Sequence, residues 1–169
     1  MSSKIISQFE SSLQGFVADC RIVSASETAE TIKSLMTEPA VGVPISIEGV
    51  SLADLNINLD PTAEEIRTAE TGITGVGMAI ASYGTVTIES SAAGDELISL
   101  YPPNHIAIVP GSNIVSDMDA AFDTLALAFK QGMTSHIFAT GPSATADLGG
   151  LIQGVHGPEQ VSVIIVEDR

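Results

Sequence analysis

The residues Val161 to Val166 constrain the fold more than any other stretch of the chain. Their sequence, Val-Ser-Val-Ile-Ile-Val, is a nearly continuous apolar run of strand length. Such a run is typical of a strand in a parallel sheet that other elements cover on both faces. His105 to Val109 and His136 to Thr140 are two more short apolar runs between turn signals, and both are predicted strands. The runs 41–47 and 52–59 are predicted strands as well.

Segments with the helical spacing of apolar residues alternate with these strands. Helices are predicted over 4–17 and about 25–37. Further helices are predicted after Asp60-Pro61, with Asp60 as the cap, and after Ser116-Asp117. Strands that alternate with helices predict a three-layer α/β fold, in one domain over residues 1–169.

Composition excludes several classes of protein. Hydrophobic residues make up 44% of the chain, yet no apolar run reaches the ~18 residues that a membrane span needs. The chain also starts without the basic and then apolar pattern of a signal peptide, so we expect a cytoplasmic protein with no membrane insertion. Cys20 is the single cysteine, and the three histidines are scattered. No disulfide, metal site or cofactor is therefore expected.

The charge of the chain comes from a shortage of basic residues. Six Lys and Arg stand against 21 Asp and Glu, which gives a net charge of −15. A surface with this field repels phosphate backbones, so nucleic-acid binding is not expected. Depletion of lysine also fits a high-salt cytoplasm, in which screening suppresses self-repulsion, and the chain is a candidate halophile protein.

The segment 135–158 reads as a strand, a turn, a short helix and a second glycine-rich turn. Gly141-Pro142 ends the strand, and Ser143 stands where a helix N-cap belongs. A loop between a strand and a helix N-terminus directs backbone donors and dipole charge at one point, which suits an anion. A Gly-Pro-Ser sequence on its own is more often only a turn.

The segment 71–91 is also rich in glycine. Three glycines within six residues allow close backbone approach, but a predicted strand follows them, so they are not a dinucleotide fingerprint. Met78 to Ser82 and Val86 to Ser90 form a predicted β-hairpin around a tight turn. Together with the first loop these segments predict a binding pocket for a small anionic metabolite, lined by Gly72, Thr74, Gly75, Tyr83, Gly84, Thr85, Gly141, Pro142 and Ser143.

His156 and Asp147 are the candidate catalytic residues. His156 lies in a glycine-rich turn that can return to the mouth of the Gly141 loop, and a histidine there can donate to a carboxylate or shuttle its proton. The competing interpretation is a histidine that only fixes the turn. Asp147 either orients His156 or stabilises its own loop. His105 and His136 are predicted to be packing or surface residues.

Five motifs occur in an order and spacing that resemble one known family. They are the hairpin segment 71–90, then Pro-Pro-Asn-His-Ile-Ala-Ile-Val-Pro at 102–110, Asn-Ile-Val-Ser-Asp-Met-Asp-Ala-Ala at 113–121, Gly-Pro-Ser-Ala-Thr-Ala-Asp at 141–147 and Gly-Val-His-Gly-Pro at 154–158. From about residue 20 to residue 168 the chain resembles the LUD, or lactate-utilisation, domain of the LutC/YkgG type. The hairpin turn departs from the family pattern, because Ser82-Tyr83-Gly84-Thr85 stands where Glu-Thr-Gly-Thr is usual, so the glutamate is absent.

The resemblance implies a Rossmann-like fold of the NagB/RpiA/CoA transferase group with an added β-hairpin. It also implies an accessory or subunit role in oxidising L-lactate to pyruvate beside iron-sulfur partner subunits. The resemblance assigns no catalytic residue, and a homo-oligomer is compatible with it.

Two functional classes stay open. The first is a LutC-type subunit without a redox cofactor of its own. The second is an enzyme of the NagB/RpiA/CoA transferase group that acts on a phosphorylated or carboxylated metabolite. The second needs a carboxylate at the loop mouth, and Glu70 and Glu89 lie outside the predicted glycine turns. The sequence therefore leaves open whether the chain is an enzyme.

Overall fold

The computed structural model describes residues 3–16, 18–89, 95–130, 135–147 and 149–167. The helices are α1 (Ser3–Gln14), α2 (Ala25–Leu35), α3 (Ala63–Thr68), α4 (Asp95–Leu100) and α5 (Met118–Lys130). The strands are β1 (Asp19–Ser24), β2 (Ala40–Gly42), β3 (Ile57–Asn58), β4 (Thr71–Gly75), β5 (Met78–Ile80), β6 (Thr85–Glu89), β7 (Asn104–Pro110), β8 (Ile114–Val115), β9 (His136–Thr140), β10 (Ala144–Thr145), β11 (Ile152–Gln153) and β12 (Gln160–Glu167).

A six-stranded parallel sheet forms the centre of the fold, in the order β1-β12-β7-β4-β2-β3. Strand β12 lies between β1 and β7, and its residues 161–166 are all buried. The apolar run that predicted a strand covered on both faces is therefore confirmed. The prediction of a mixed α/β fold with a mostly parallel sheet is confirmed as well.

The two faces of β12 pack on different layers. Val163 and Ile165 join a cluster with α1 and the β5-β6 hairpin, which includes Phe9. Ile164 and Val166 face the opposite way and join a cluster with Ile32 of α2. Alternate side chains of a strand point to opposite faces, so one strand holds three layers together.

A second sheet of order β8-β5-β6-β9 carries the predicted hairpin. Strands β5 and β6 pair antiparallel, and β6 pairs antiparallel with β9. The hairpin prediction is confirmed for residues 78–80 and 86–89, β6 begins one residue earlier than predicted, at Thr85, and the predicted last residue, Ser90, lies outside the described residues. Val17, the predicted end of the first helix, also lies outside them, and α1 ends at Gln14.

Several predicted boundaries were wrong. The strand predicted over 41–47 ends at Gly42, before Pro44, and the strand predicted over 52–59 is the two-residue β3. Helix α3 is capped by Thr62 rather than Asp60, because the Thr62 hydroxyl accepts from the backbone N–H of Glu65 and the Glu65 carboxylate accepts from the backbone N–H of Thr62.

The glycine-rich stretch 71–75 is the central strand β4 rather than a turn. Gly72 lies under α4, where a Cβ atom would collide with the carbonyl oxygen of Ile98. The helix predicted after Ser143 was also wrong. Residues 144–145 form β10, which pairs antiparallel with β11, so Ser143 caps no helix, and no helix of the described residues begins at the Gly141 loop.

Among the residues that the structure describes, no helix is both long enough and apolar enough to cross a membrane.

Candidate functional site

A cavity of about 200 Å³ opens where the two glycine-rich loops meet. Its polar side chains include those of Ser99, His105, Thr140, Ser143 and His156. Apolar residues supply the rest of its wall, among them Leu13 of α1 and Val161 and Val163 of β12. We call this cavity the histidine pocket. It lies toward the amino ends of the parallel strands, because His105 and Val161 are the second residues of β7 and β12.

Two hydrogen bonds join the two loops. The backbone N–H of Ser143 donates to the carbonyl of Pro158 over 2.8 Å, and the backbone N–H of Gly154 donates to the carbonyl of Ser143 over 3.0 Å. A Cβ atom on Gly157 would stand 3.1 Å from Cβ of Ser143, so the loops are also in close contact. These contacts place His156 and the Gly141 loop on one cavity, the arrangement that the sequence predicted.

Helix α1 closes the pocket through two glycines with left-handed backbone. Gly84 and Gly141 both have φ of +62°. A Cβ atom on Gly84 would lie 2.7 Å from the backbone nitrogen of Leu13, and one on Gly141 would lie 2.6 Å from Cβ of Phe16. Only glycine allows both the conformation and these contacts, so the two turns are fitted to the end of α1.

His105 is the most buried polar group of the pocket, with 2% of its surface exposed. Its Nε2 lies 2.8 Å from the hydroxyl of Thr74, which is itself 1% exposed. Burial lowers the pKa of His105 to about 4, because the charged imidazolium loses its hydration inside the protein. His105 is therefore a neutral imidazole at physiological pH.

His156 and Asp147 occupy different surroundings. His156 is exposed and lines the pocket, and within the described ranges its side chain makes no hydrogen bond to the turn. Asp147 is exposed and does not line the pocket, and its backbone N–H lies 3.3 Å from the Thr145 hydroxyl. The structure brings His156 to the cavity and leaves Asp147 outside it, while any catalytic role of either residue stays a prediction.

The remaining predicted site residues do not line one cavity together. Gly84, Gly141, Pro142 and Ser143 line the histidine pocket, and the hydroxyl of Thr85 contacts that of Thr140 on its wall over 2.7 Å. Tyr83 is exposed, and Gly72 packs on α4. Thr74 and Gly75 line the second cavity. A binding role for these nine residues stays a prediction.

The second cavity, of about 470 Å³, lies at the carboxyl ends of β2, β4 and β7. The chain runs outward from β2 to β3 and then returns to β4 on the other side of β2, so the direction of winding reverses between β2 and β4. Such a reversal is where open α/β sheets bind ligands. We call this cavity the switch-point cleft.

Glu89 contributes a carboxylate to the switch-point cleft. One of its oxygens would collide with a Cβ atom added to Gly77. Asn113 also lines the cleft, and its side-chain amide donates to the carbonyl of Gly77 over 3.0 Å. Glu89 is the last residue of β6 and so lies outside the glycine turns, yet its side chain reaches Gly77. The residue is distant from Gly77 along the chain, and antiparallel pairing of β5 with β6 brings them together.

The comparisons with known proteins agree with this architecture. The sequence model of the LUD domain matches residues 51–166. The chain belongs to the LUD domain family. Lactate utilization protein C of Bacillus subtilis (strain 168) is 38% identical over 144 residues, which cover 82% of this chain and 58% of that protein. Lactate utilization protein C of Deinococcus radiodurans is 29% identical over 174 residues, which cover 97% of this chain and 80% of that protein.

A solved structure extends the agreement to the fold. The crystal structure of a DUF162 family protein from Deinococcus radiodurans has a TM-score of 0.76 to this LUD domain at 26% identity, and the match covers 98% of this chain and 99% of that one. The chain spans only 57% of the lactate utilization protein C of Bacillus velezensis and 58% of that of Bacillus subtilis.

The thiol of Cys20 lies outside the two cavities. Burial, with help from Glu10 and Asp19, raises the pKa of the Cys20 thiol to about 12, so the thiol stays protonated. In the ranges that the structure describes, no three His, Cys, Asp or Glu side chains come together in a group able to hold a metal ion.

Sequence reasoning missed His105 as a pocket residue. Its position at the start of an apolar run made it look like a boundary residue, whereas it is the second residue of a central strand. A polar side chain next to a run of four buried apolar residues was the available signal, because a buried histidine is costly without a partner or a role.

Proposed function

We propose that this LUD domain is a lactate-utilisation protein of the LutC type that binds a small carboxylate in the histidine pocket. One observation carries the proposal. Among the residues that the structure describes, no side chain lining the pocket is acidic, although the chain holds 21 Asp and Glu. A small anion therefore meets no like charge there, and it meets imidazole and hydroxyl donors instead.

The size of the pocket and the names of the relatives support a small ligand. A cavity of about 200 Å³ is below the roughly 300–1,000 Å³ typical of sites for drug-sized molecules, so it suits a metabolite of a few carbons. The relatives named lactate utilization protein C point to L-lactate or pyruvate as that metabolite.

In the proposed role the electrons of lactate oxidation leave through iron-sulfur partner subunits. Conversion of L-lactate to pyruvate releases two electrons and two protons. Iron-sulfur clusters are held by several thiolates, and this chain has one cysteine. The partners are therefore assigned the redox step, and His156 at the pocket mouth is assigned to contact the carboxylate and pass a proton.

The test is a titration of the purified chain with L-lactate and with pyruvate, followed by calorimetry or NMR. Saturable binding at millimolar concentration is expected, and His156→Ala should weaken it about tenfold, the loss of one charge-assisted hydrogen bond. Because His156 is exposed and unbonded, the same change should alter the melting temperature little. Gln153→Ala is the matched control, since Gln153 is exposed at the end of β11, three residues before His156, and does not line the pocket.

Saturable lactate binding that His156→Ala leaves unchanged would contradict the role of His156, and no binding to the wild type at ~50 mM would contradict the proposed ligand. Copurification of the native protein tests the partners. The proposal expects iron-sulfur chains in the complex, and isolation of the chain alone from lactate-grown cells would count against it.

A second candidate function rests on Glu89. Its carboxylate in the switch-point cleft supplies the acid-base group that an enzyme of the NagB/RpiA/CoA transferase group needs. If the chain is such an enzyme, turnover of a carboxylated or phosphorylated substrate should fall at least ~100-fold in Glu89→Gln. Under the first proposal, lactate oxidation by the reconstituted complex should be unchanged in that variant.

A further inference from the structure

His105 and Thr74 form a buried polar pair behind the histidine pocket. They stand on neighbouring strands, β7 and β4, and join through Nε2 and Oγ1 over 2.8 Å. The strand around them is apolar, since residues 106–109 are fully buried. Valine at both positions would avoid the desolvation of an imidazole and a hydroxyl, so the pair is expected to serve something other than packing.

The contact with Thr74 leaves one ring nitrogen for the cavity. Nε2 is occupied by the Thr74 hydroxyl. Nδ1 has no hydrogen-bond partner among the described residues, and it is not one of the fully buried atoms without a partner, so it keeps some exposed surface. Since the His105 ring lines the pocket, Nδ1 is available to an occupant. A neutral imidazole has one donor and one acceptor nitrogen, and the partner of one nitrogen decides the role of the other.

We propose that the Thr74 hydroxyl donates to Nε2 and thereby keeps the proton on Nδ1, so that His105 selects carboxylates with an oxygen acceptor on C2, the 2-hydroxy and 2-oxo acids. This selection rests on the proposed binding of a small carboxylate in the pocket. Thr74 acts as a positioning residue, and His105 contacts the ligand.

The burial of His105 gives this contact its selectivity. A neutral Nδ1–H donates to either a hydroxyl or a carbonyl oxygen and makes no hydrogen bond to a methylene group. It also rejects an ammonium group, which can only donate. A ligand without an oxygen on C2 leaves this buried donor unpaired, so its loss of affinity should be large. Sites built to bond a substrate oxygen discriminate strongly against analogues that lack it.

The experiment measures dissociation constants for four acids of nearly equal size. The probes are L-lactate, pyruvate, propionate, which lacks the C2 oxygen, and L-alanine, which carries an ammonium there. Lactate and pyruvate should bind at least tenfold more tightly than propionate and alanine. In Thr74→Val the ratio of lactate to propionate affinity should fall to about threefold or less, and Thr74→Ser should restore it.

Thr28→Val is the matched control for a lost buried hydroxyl. Thr28 is fully buried in α2, donates to the carbonyl of Ser24 over 3.0 Å and lies outside the pocket. This variant should keep the wild-type ratio even if it melts at a lower temperature. A ratio that falls equally in both variants would show a general effect of destabilisation and would overturn the assignment of Thr74.

The tautomer is measured directly on the wild type by the ¹⁵N shifts of its imidazoles, so the inference stays testable even if Thr74→Val does not fold. His105 should show a protonated Nδ1 and a bare Nε2, and its Nδ1 resonance should move on adding lactate. A protonated Nε2 would overturn the proposal.

The failure modes are separable. If lactate, pyruvate and propionate bind with equal affinity, the selection by His105 is wrong while the proposed binding of small carboxylates stands. If none of them binds the wild type, the proposed function fails, and the selection fails with it.

Discussion

The histidine pocket and the switch-point cleft lie at opposite ends of the same parallel strands. The pocket reaches His105 near the amino end of β7, and the cleft reaches Pro110 at the carboxyl end of that strand. The cleft occupies the place where such sheets commonly bind ligands, yet it carries the exposed carboxylate of Glu89. The pocket carries imidazoles and hydroxyls, and no acidic side chain lines it in the described part of the chain.

This difference follows from which elements build each cavity. The cleft is made by the parallel sheet, by the segment 43–47 that follows β2, and by the end of β6, which supplies Ile88 and Glu89. The pocket needs the second sheet, because Gly84 and Val86 of the hairpin, Thr140 of β9 and the Gly141 loop form one side of it. The hairpin therefore contributes to both cavities: its turn and the start of β6 line the pocket, and the end of β6 brings the carboxylate to the cleft.

The largest expected effect on stability comes from adding a Cβ atom at a glycine that packs against α1. Gly84→Ala should destabilise the protein by roughly 3 kcal/mol or more, because a left-handed residue gains a Cβ atom and that atom meets the backbone of α1. Gly149→Ala is the control. It has φ of +92° with no atom within 4 Å of the added Cβ, so it isolates the backbone strain, about 1–2 kcal/mol. Urea unfolding of both variants measures the difference, and equal losses would mean that the contact with α1 contributes nothing.

Acid should lower the stability of the folded protein through His105. The pKa of about 4 in the folded protein lies below the ~6.5 of an unfolded histidine, so the unfolded chain takes up the proton first. The contribution to stability is complete above pH ~6.5 and is lost as pH falls toward 4, by roughly 3 kcal/mol in all. The free energy of unfolding at pH 7 and at pH 4.5 should therefore differ less in His105→Gln than in the wild type. The carboxyl groups titrate in both proteins, so the comparison isolates His105, and an unchanged pH dependence would contradict its burial as a neutral ring.

The smallest effect is expected in the cleft. Gly77→Ala should cost less than about 1 kcal/mol, because the added Cβ meets the end of the flexible Glu89 side chain, which can move toward solvent. The cost should vanish when the substitution is made in a Glu89→Ala background. A double-mutant cycle of thermal or urea unfolding measures this coupling, and a cost that persists without Glu89 would place the conflict in the backbone.

The sequence predicted the elements whose signal is local. Strand β12 was evident from its apolar run, and the β5-β6 hairpin from two short strands around Tyr83-Gly84-Thr85. Strand β4 was not predicted, because Thr-Gly-Ile-Thr-Gly lacks the bulky residues of a central strand. Its glycines are explained by α4, which packs onto Gly72, and that contact joins residues far apart in the chain.

The site was predictable in part for the same reason. Two loops with strong local motifs, around Gly141 and His156, were identified and do meet at one cavity. The short helix after Ser143 was a wrong prediction, because small residues also suit β10, and pairing with β11 decided between the two. The places of His105 and Glu89 depend on strand pairing, which no local pattern of residues reports.

Helix α1 makes the pocket a composite of two parts of the chain. The match to the LUD domain begins at residue 51, whereas Leu13 on the pocket wall and the surface that receives Gly84 and Gly141 come from the first sixteen residues. A fragment trimmed to the matched residues thus keeps both loops and loses the wall that they rest on. Substitutions at Leu13 can reshape this wall without altering either loop, so the size of the cavity can be changed from the amino-terminal helix independently of the histidines.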